Sequence, residues 1–190
     1  DNAGVRLNNI GGNARLDLRR SDIVRAVNVK GTVDVKGGRG QEVELENIEG
    51  QVTVNGSFSG DIQFRNLAKP LRFESSQTVL SVEKVPGQIR IALGQITAEN
   101  VVGPMRLTTK SRDVVIGDVS QSVEIVLERG DIDVRPGKTP LAKMDLETRS
   151  GNILMALPEG AKFDLTAVTR RGEVENEYGA PLRVVAESGR

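Results

Sequence analysis

Hydrophobic residues recur along this chain in short alternating runs nested inside a longer period. Asn9, Asn28, Asn47, Asn66, Lys84, Asn100 and Asp118 serve as anchors, spaced 19, 19, 19, 18, 16 and 18 residues apart. Around Asn47 the apolar positions are Val43 and Leu45 before the anchor, then Ile48, Val52 and Val54 after it. The same five offsets around the other six anchors are apolar as well, so seven repeats of five positions give 35 apolar sites in a chain that is 37% hydrophobic. Three residues after the anchor stands Gly12, Gly31, Gly50, Gly87 or Gly103, replaced by Lys69 and Gln121 in two repeats.

The offsets translate into elements. The two positions before the anchor alternate with polar neighbours, the period of a strand with one buried face, and the last two positions form a second such strand. The Asn-apolar-x-Gly segment between them predicts a turn, because Asn and Gly accept left-handed backbone cheaply. A second turn signal pairs a Gly or polar residue with an acidic or amide residue and then Ile or Val, as in Gly60-Asp61-Ile62, Gly130-Asp131-Ile132 and Gly151-Asn152-Ile153. A unit of this length cannot bury its apolar face alone, but stacked units can. The predicted fold is therefore all-β: one parallel β-solenoid over residues 1–190, of about ten coils of 16–21 residues, wound right-handed by the general rule for parallel crossovers. A β-sandwich is the runner-up, and it requires less even intervals than these. No window of twelve residues holds a helical apolar stripe without a Gly or Pro break.

Residues 1–131 carry the regular coils. Residues 132–190 are less regular, with longer turns and a Pro136–Pro140 interruption before Met144 and Leu146 resume the pattern. Ile153 and Met155 predict a ninth coil, with Phe163 and Leu165 as its second strand. Val174, Leu182 and Val184 predict a tenth. Ala186–Arg190 matches the approach to a further coil, as Glu147–Gly151 does before Ile153, so either the natural protein is expected to continue past Arg190 or this end is expected to be loosely capped.

Composition removes several chemistries. The chain has no His and no Cys, so imidazole and thiolate metal sites, a Ser-His-Asp triad, a cysteine nucleophile and disulfides are excluded. A net charge of zero and only five aromatic residues argue against nucleic-acid binding. No run of 18 apolar residues predicts a transmembrane helix. The chain opens at Asp1 without a basic and apolar leader, so any signal or anchor is expected to lie outside it or to have been removed.

Three columns of outward residues are the candidates for chemistry. Stacked on successive coils, Asn9, Asn28, Asn47, Asn66 and Asn100 predict a ladder of amides, chiefly structural. The position between the last two core residues reads Arg15, Asp34, Thr53, Arg72, Arg90, Arg106 and Glu124. This predicts Arg72, Arg90 and Arg106 in line on three consecutive coils, a column suited to sulfate, phosphate or an acidic polysaccharide. Just before the anchor stand Glu46, Arg65, Glu83 and Glu99, a mixed charge ladder with too few oxygens for calcium. Gly37-Gly38-Arg39-Gly40 is phosphate-cradling in composition but precedes another strand, and is expected to be a flexible turn. No catalytic constellation, metal or cofactor is predicted, since the turns of the first seven coils are too short to wall a cleft.

The run Asn47-Ile-x-Gly-x-Val-x-Val54, the segment Ser150-Gly-Asn-Ile153 and the run Leu157-Pro-x-x-Ala-x-Phe-x-Leu165 resemble a bacterial β-strand-repeat, adhesin-like family of unknown function. The resemblance covers essentially the whole chain and supplies no functional residues. It implies a β-solenoid exported to or anchored at the cell envelope, in the periplasm or on the surface. Two function classes follow. One is a non-enzymatic interaction module for a polysaccharide or an envelope protein. The other is a bactofilin-like scaffold that self-associates end to end. A polysaccharide-active enzyme is a distant third.

Overall fold

The computed structural model describes residues 4–167 and 173–178. These residues form strands and turns without a helix, and the strands wind as a β-solenoid of eight turns plus the start of a ninth. Each turn contributes a first and a second strand to one continuous core. The first coil is β1 (Val5–Ile10) and β2 (Ala14–Asp17). The next three are built from β3 (Arg20–Val29), β4 (Val33–Ile48), β5 (Val52–Phe58), β6 (Ile62–Leu67) and β7 (Leu71–Glu74), with β4 running unbroken from the second coil into the third. Then follow β8 (Thr78–Ile91), β9 (Gln95–Ser111), β10 (Asp113–Ser120), β11 (Val123–Arg129), β12 (Ile132–Arg135), β13 (Met144–Thr148) and β14 (Ile153–Met155).

In coils two to seven every one of the five predicted apolar positions is buried, from Val24 to Ile125. β-Branched side chains dominate because they fit a pleated, narrow core. Phe64 and Phe73 are its largest occupants, edge to face with centroids 5.9 Å apart. The parallel register follows the predicted period: Val5 faces Val24, Val24 faces Val43 and Val43 faces Ile62.

The fifth coil departs from that rule. β8 runs antiparallel to β6 and β7 on one side and to β9 on the other. Its first half lies on second strands (Leu80 faces Phe73, Val82 faces Leu71), and its second half lies on first strands (Ile89 faces Phe64, Ile91 faces Ile62). The core pattern permits this because it is almost a palindrome. Counted forward from Ile62, core positions fall at 0, 2, 5, 9 and 11; counted backward from Ile91, they fall at 0, 2, 6, 9 and 11. Register shifts near Leu67 absorb the one-residue mismatch. At its exit the reversal fits the length of the return. Leu16 to Val24, Val35 to Val43 and Val54 to Ile62 each take eight residues, whereas Ile91 to Ile96 takes five. Five residues close a hairpin but do not cross the coil, and Ala92 N–H bonds the Gln95 carbonyl at 2.8 Å. The other end closes likewise, with Ser75 N–H on the Thr78 carbonyl at 2.8 Å.

Other expectations need correction. Gly37–Gly40 is no free turn: Gly37 takes φ +80°, and a bulge there lets β4 turn a corner without ending. The anchor asparagines do adopt left-handed backbone, but Gly12, Gly31 and Gly50 do not. Gly31 and Gly50 are needed for closeness, because a Cβ on either would strike the backbone of the preceding coil's glycine. The ninth coil stops at β14: Phe163 and Leu165 form no strand, and Phe163 instead meets Tyr178 edge to face at 5.3 Å. Val174 is exposed and outside any strand; Leu182, Val184 and the approach at Ala186–Arg190 lie outside the described residues.

Candidate functional site

The asparagine anchors build the most regular polar feature of the surface. Asn9, Asn28, Asn47 and Asn66 have φ of 54°, 57°, 55° and 47°, which turns the chain sharply and presents the side chain outward. Each Nδ2 donates to Oδ1 of the preceding coil: Asn28 to Asn9 at 3.0 Å, Asn47 to Asn28 at 2.9 Å, Asn66 to Asn47 at 2.8 Å. The turn backbone is satisfied from coil to coil too, since Lys30, Glu49 and Ala68 donate N–H to the carbonyls of Ile10, Val29 and Ile48. Each amide therefore keeps a second N–H and free lone pairs facing solvent.

Asn100 shares the left-handed conformation at φ 50°, and Asp118 at 47°, but both lie beyond the reversed coil. That coil carries Lys84-Val85-Pro86-Gly87 at this corner, and Val85 faces Leu67. No amide follows Asn66, so the predicted column of five is a ladder of four plus one separate member.

Beside the ladder runs a groove of about 540 Å³. It is lined by the four amides, by Ile10 and Ile48 of the turns, and by Gly11, Lys30, Glu49 and Ala68. Lys30 and Glu49 sit on neighbouring coils, and they are its only ionisable groups, so the groove is neutral. At one strand spacing per coil, the four amides span about 14 Å. Gly11, Lys30, Glu49 and Ala68 stand two positions after the anchors. They share the repeat's period and were legible by extending the column reading to that offset.

The arginine column is not assembled. Arg72 faces Ser81, which faces Arg106, so the two guanidinium groups belong to coils two steps apart. Arg106 is paired with Glu124 at 3.0 Å. Arg90 lies on the other strand face, opposite Gln63 and Thr97, and is paired with Asp61. The reversal of β8 separates the three, because it exchanges which strand stack each half of the coil joins. The mixed charge ladder is broken for the same reason: Gln88, not Glu83, stands between Arg65 and Glu99.

A different arginine carries structure at the reversed coil. Half-buried Arg112 donates Nε to the Ala92 carbonyl at 2.8 Å and a terminal nitrogen to Thr78 Oγ1 at 2.7 Å. Thr78 Oγ1 is also 3.0 Å from Oγ1 of Thr109, and both threonines are buried. Burial pushes the Arg112 guanidinium below the usual arginine range. One side chain thus ties together the two hairpin ends of β8.

The family model described as Toastrack DUF4097 matches residues 20–189 of this chain. No curated protein and no solved structure matches it.

Proposed function

The chain belongs to the Toastrack DUF4097 family, and on that premise we propose that it is a non-enzymatic, adhesin-like interaction domain of the cell envelope whose asparagine groove holds an extended, uncharged polysaccharide. The observation that carries this reading is the row of four amides with unspent hydrogen-bonding capacity along a neutral groove. Amide groups in a fixed row suit a ligand whose own donors and acceptors repeat, and hydroxyl-rich sugar chains present such rows. Ionic ligands gain little from a groove in which Lys30 and Glu49 offset each other. The extracytoplasmic location, in the periplasm or at the surface, rests on the family resemblance, and the activity requires no cofactor or metal.

The test is a titration of ¹⁵N-labelled protein with neutral glucan oligosaccharides, with heparin as the charged control. The side-chain amide signals of Asn28 and Asn47 are expected to shift with the neutral sugars and to respond little to heparin. Ala68→Trp fills the end of the groove from an exposed position, and should abolish the shifts without changing the melting temperature. Unchanged amide signals in the parent, or equal binding by Ala68→Trp, would overturn the reading.

A further inference from the structure

We propose that the occupant of the groove is an N-acetylated glycan, one of whose acetamido groups takes the place of a further amide beyond Asn66. The inference rests on the neutral-polysaccharide reading of the groove and narrows it to a class of sugar. Its starting point is the direction of the ladder. Every bond runs the same way: Nδ2 donates toward the preceding coil, and Oδ1 accepts from the following one. Asn28 and Asn47 therefore each spend one donor and one acceptor on the row, whereas Asn66 spends only a donor. Among the described residues nothing donates to Asn66 Oδ1. Bonds aligned in a chain polarise one another, so this last carbonyl is a stronger acceptor than an isolated amide.

The reversal of β8 creates this end. In the forward coils each corner brings another asparagine 19 residues on. Opposite Asn66, between the pairs Arg65–Gln88 and Leu67–Val85, the chain instead presents Pro86 and Gly87. Pro86 is exposed and has no N–H to offer. Lys84 stands at the same corner, and among the described residues no bond joins it to Asn66.

The group that fits such an end is the one that built the row. An acetamido group is the asparagine amide in secondary form, carried on a sugar. Its N–H donates to Asn66 Oδ1 as the next asparagine would, and its carbonyl still accepts from a flanking N–H. It is uncharged, which suits a groove where one lysine and one glutamate offset each other. Its methyl needs apolar surface, and the exposed Ala68 lines the groove at this end. A sugar hydroxyl also donates, but its hydrogen rotates and it brings no methyl.

The test compares the tetramers of glucose and of N-acetylglucosamine, in the same linkage, on the ¹⁵N-labelled chain. Both are expected to shift the Asn28 and Asn47 amides, the N-acetylated one with a several-fold lower Kd, the worth of one neutral hydrogen bond. The Asn66 amide should move farther with the N-acetylated chain, and a nuclear Overhauser contact should join an acetyl methyl to the Ala68 methyl. Asn66→Gly tolerates the left-handed corner, φ 47° in the parent, and should erase the difference in Kd. Where Asn66→Gly fails to fold, the Ala68 contact in the parent decides. Equal Kd values in the parent, an Asn66→Gly protein that keeps the preference, or no acetyl contact with Ala68 overturns the acetamido assignment; if Asn28 and Asn47 still shift, the groove reading stands. An equal response to a blocked alanine tetrapeptide also overturns it, assigning the end of the row to peptide amides. Shifts by neither sugar overturn both readings.

Discussion

Coils two to four and coil five bury the same kinds of residue to the same depth, yet their chains run in opposite directions. Val43, Leu45, Ile48, Val52 and Val54 are each at most 1% exposed; Leu80, Val82, Val85, Ile89 and Ile91 are at most 2% exposed. The outsides of the two regions differ. The forward coils carry an unbroken amide ladder with left-handed asparagines, whereas the reversed coil has Lys84 at the corner, outside the left-handed region, and Arg112 holding its hairpins. Burial is thus indifferent to chain direction, while corner chemistry is not. A period-two stripe specifies which face is inside. Turn residues and return lengths specify where the chain goes next.

The largest effect that tests this comparison is a charge in either core. Val54→Asp in a forward coil and Ile89→Asp in the reversed one should each cost about 3–5 kcal/mol, because an unpaired carboxylate is buried among apolar side chains. Thr53→Asp, on the outward side, should stay within about 0.5 kcal/mol. Chemical denaturation would read all three, and a much smaller loss for Ile89→Asp would show the reversed coil to be loosely packed.

Close approach comes next. Gly50→Ala forces a Cβ into the Gly31 carbonyl, and backbone must yield; about 1–3 kcal/mol is expected. Its melting temperature should fall well below that of Gly11→Ala, whose Cβ meets open space.

Arg112→Ala removes two charge-assisted hydrogen bonds at the reversed coil, where about 1.5–3 kcal/mol each is the usual range for such bonds. Partial solvent access and water replacement reduce this to about 1–2 kcal/mol in total. The discriminating measurement is local: hydrogen exchange should quicken at Ser75–Thr78 and Ala92–Gln95 and stay slow in coils two and three. Uniform loss of protection would mean that β8 and the forward coils open as one unit.

The smallest effects concern the corner itself. Asn47→Ala loses two ladder bonds and strains a left-handed residue, about 1–2 kcal/mol together. Asn47→Gly keeps the conformation and should lose less. Lys84→Asn adds the missing anchor type to the reversed coil, yet should change stability by no more than about 0.5 kcal/mol, because that corner does not use the left-handed conformation. A marked stabilisation by Lys84→Asn would show that the amide column favours extension across the reversed coil.

By itself the sequence determined the all-β class, the stacking period, the core of coils two to seven, and the amide ladder from Asn9 to Asn66. Each rests on local rules: alternation marks a buried face, and Asn at a recurring corner accepts left-handed backbone. The groove residues Lys30 and Glu49 follow from the same period. Only the tertiary structure decided the direction of β8, and with it the fate of Arg72, Arg90 and Arg106. A core pattern that reads nearly alike in both directions carries almost no information about polarity, and a column of outward residues exists only once the polarity of every coil is known. The five-residue return from Ile91 to Ile96 and the Lys84 corner were the visible traces of the reversal. They acquire meaning when neighbouring coils supply strand partners on both edges of β8, and those partners lie as far as 29 residues away on the β6 side and 31 on the β9 side.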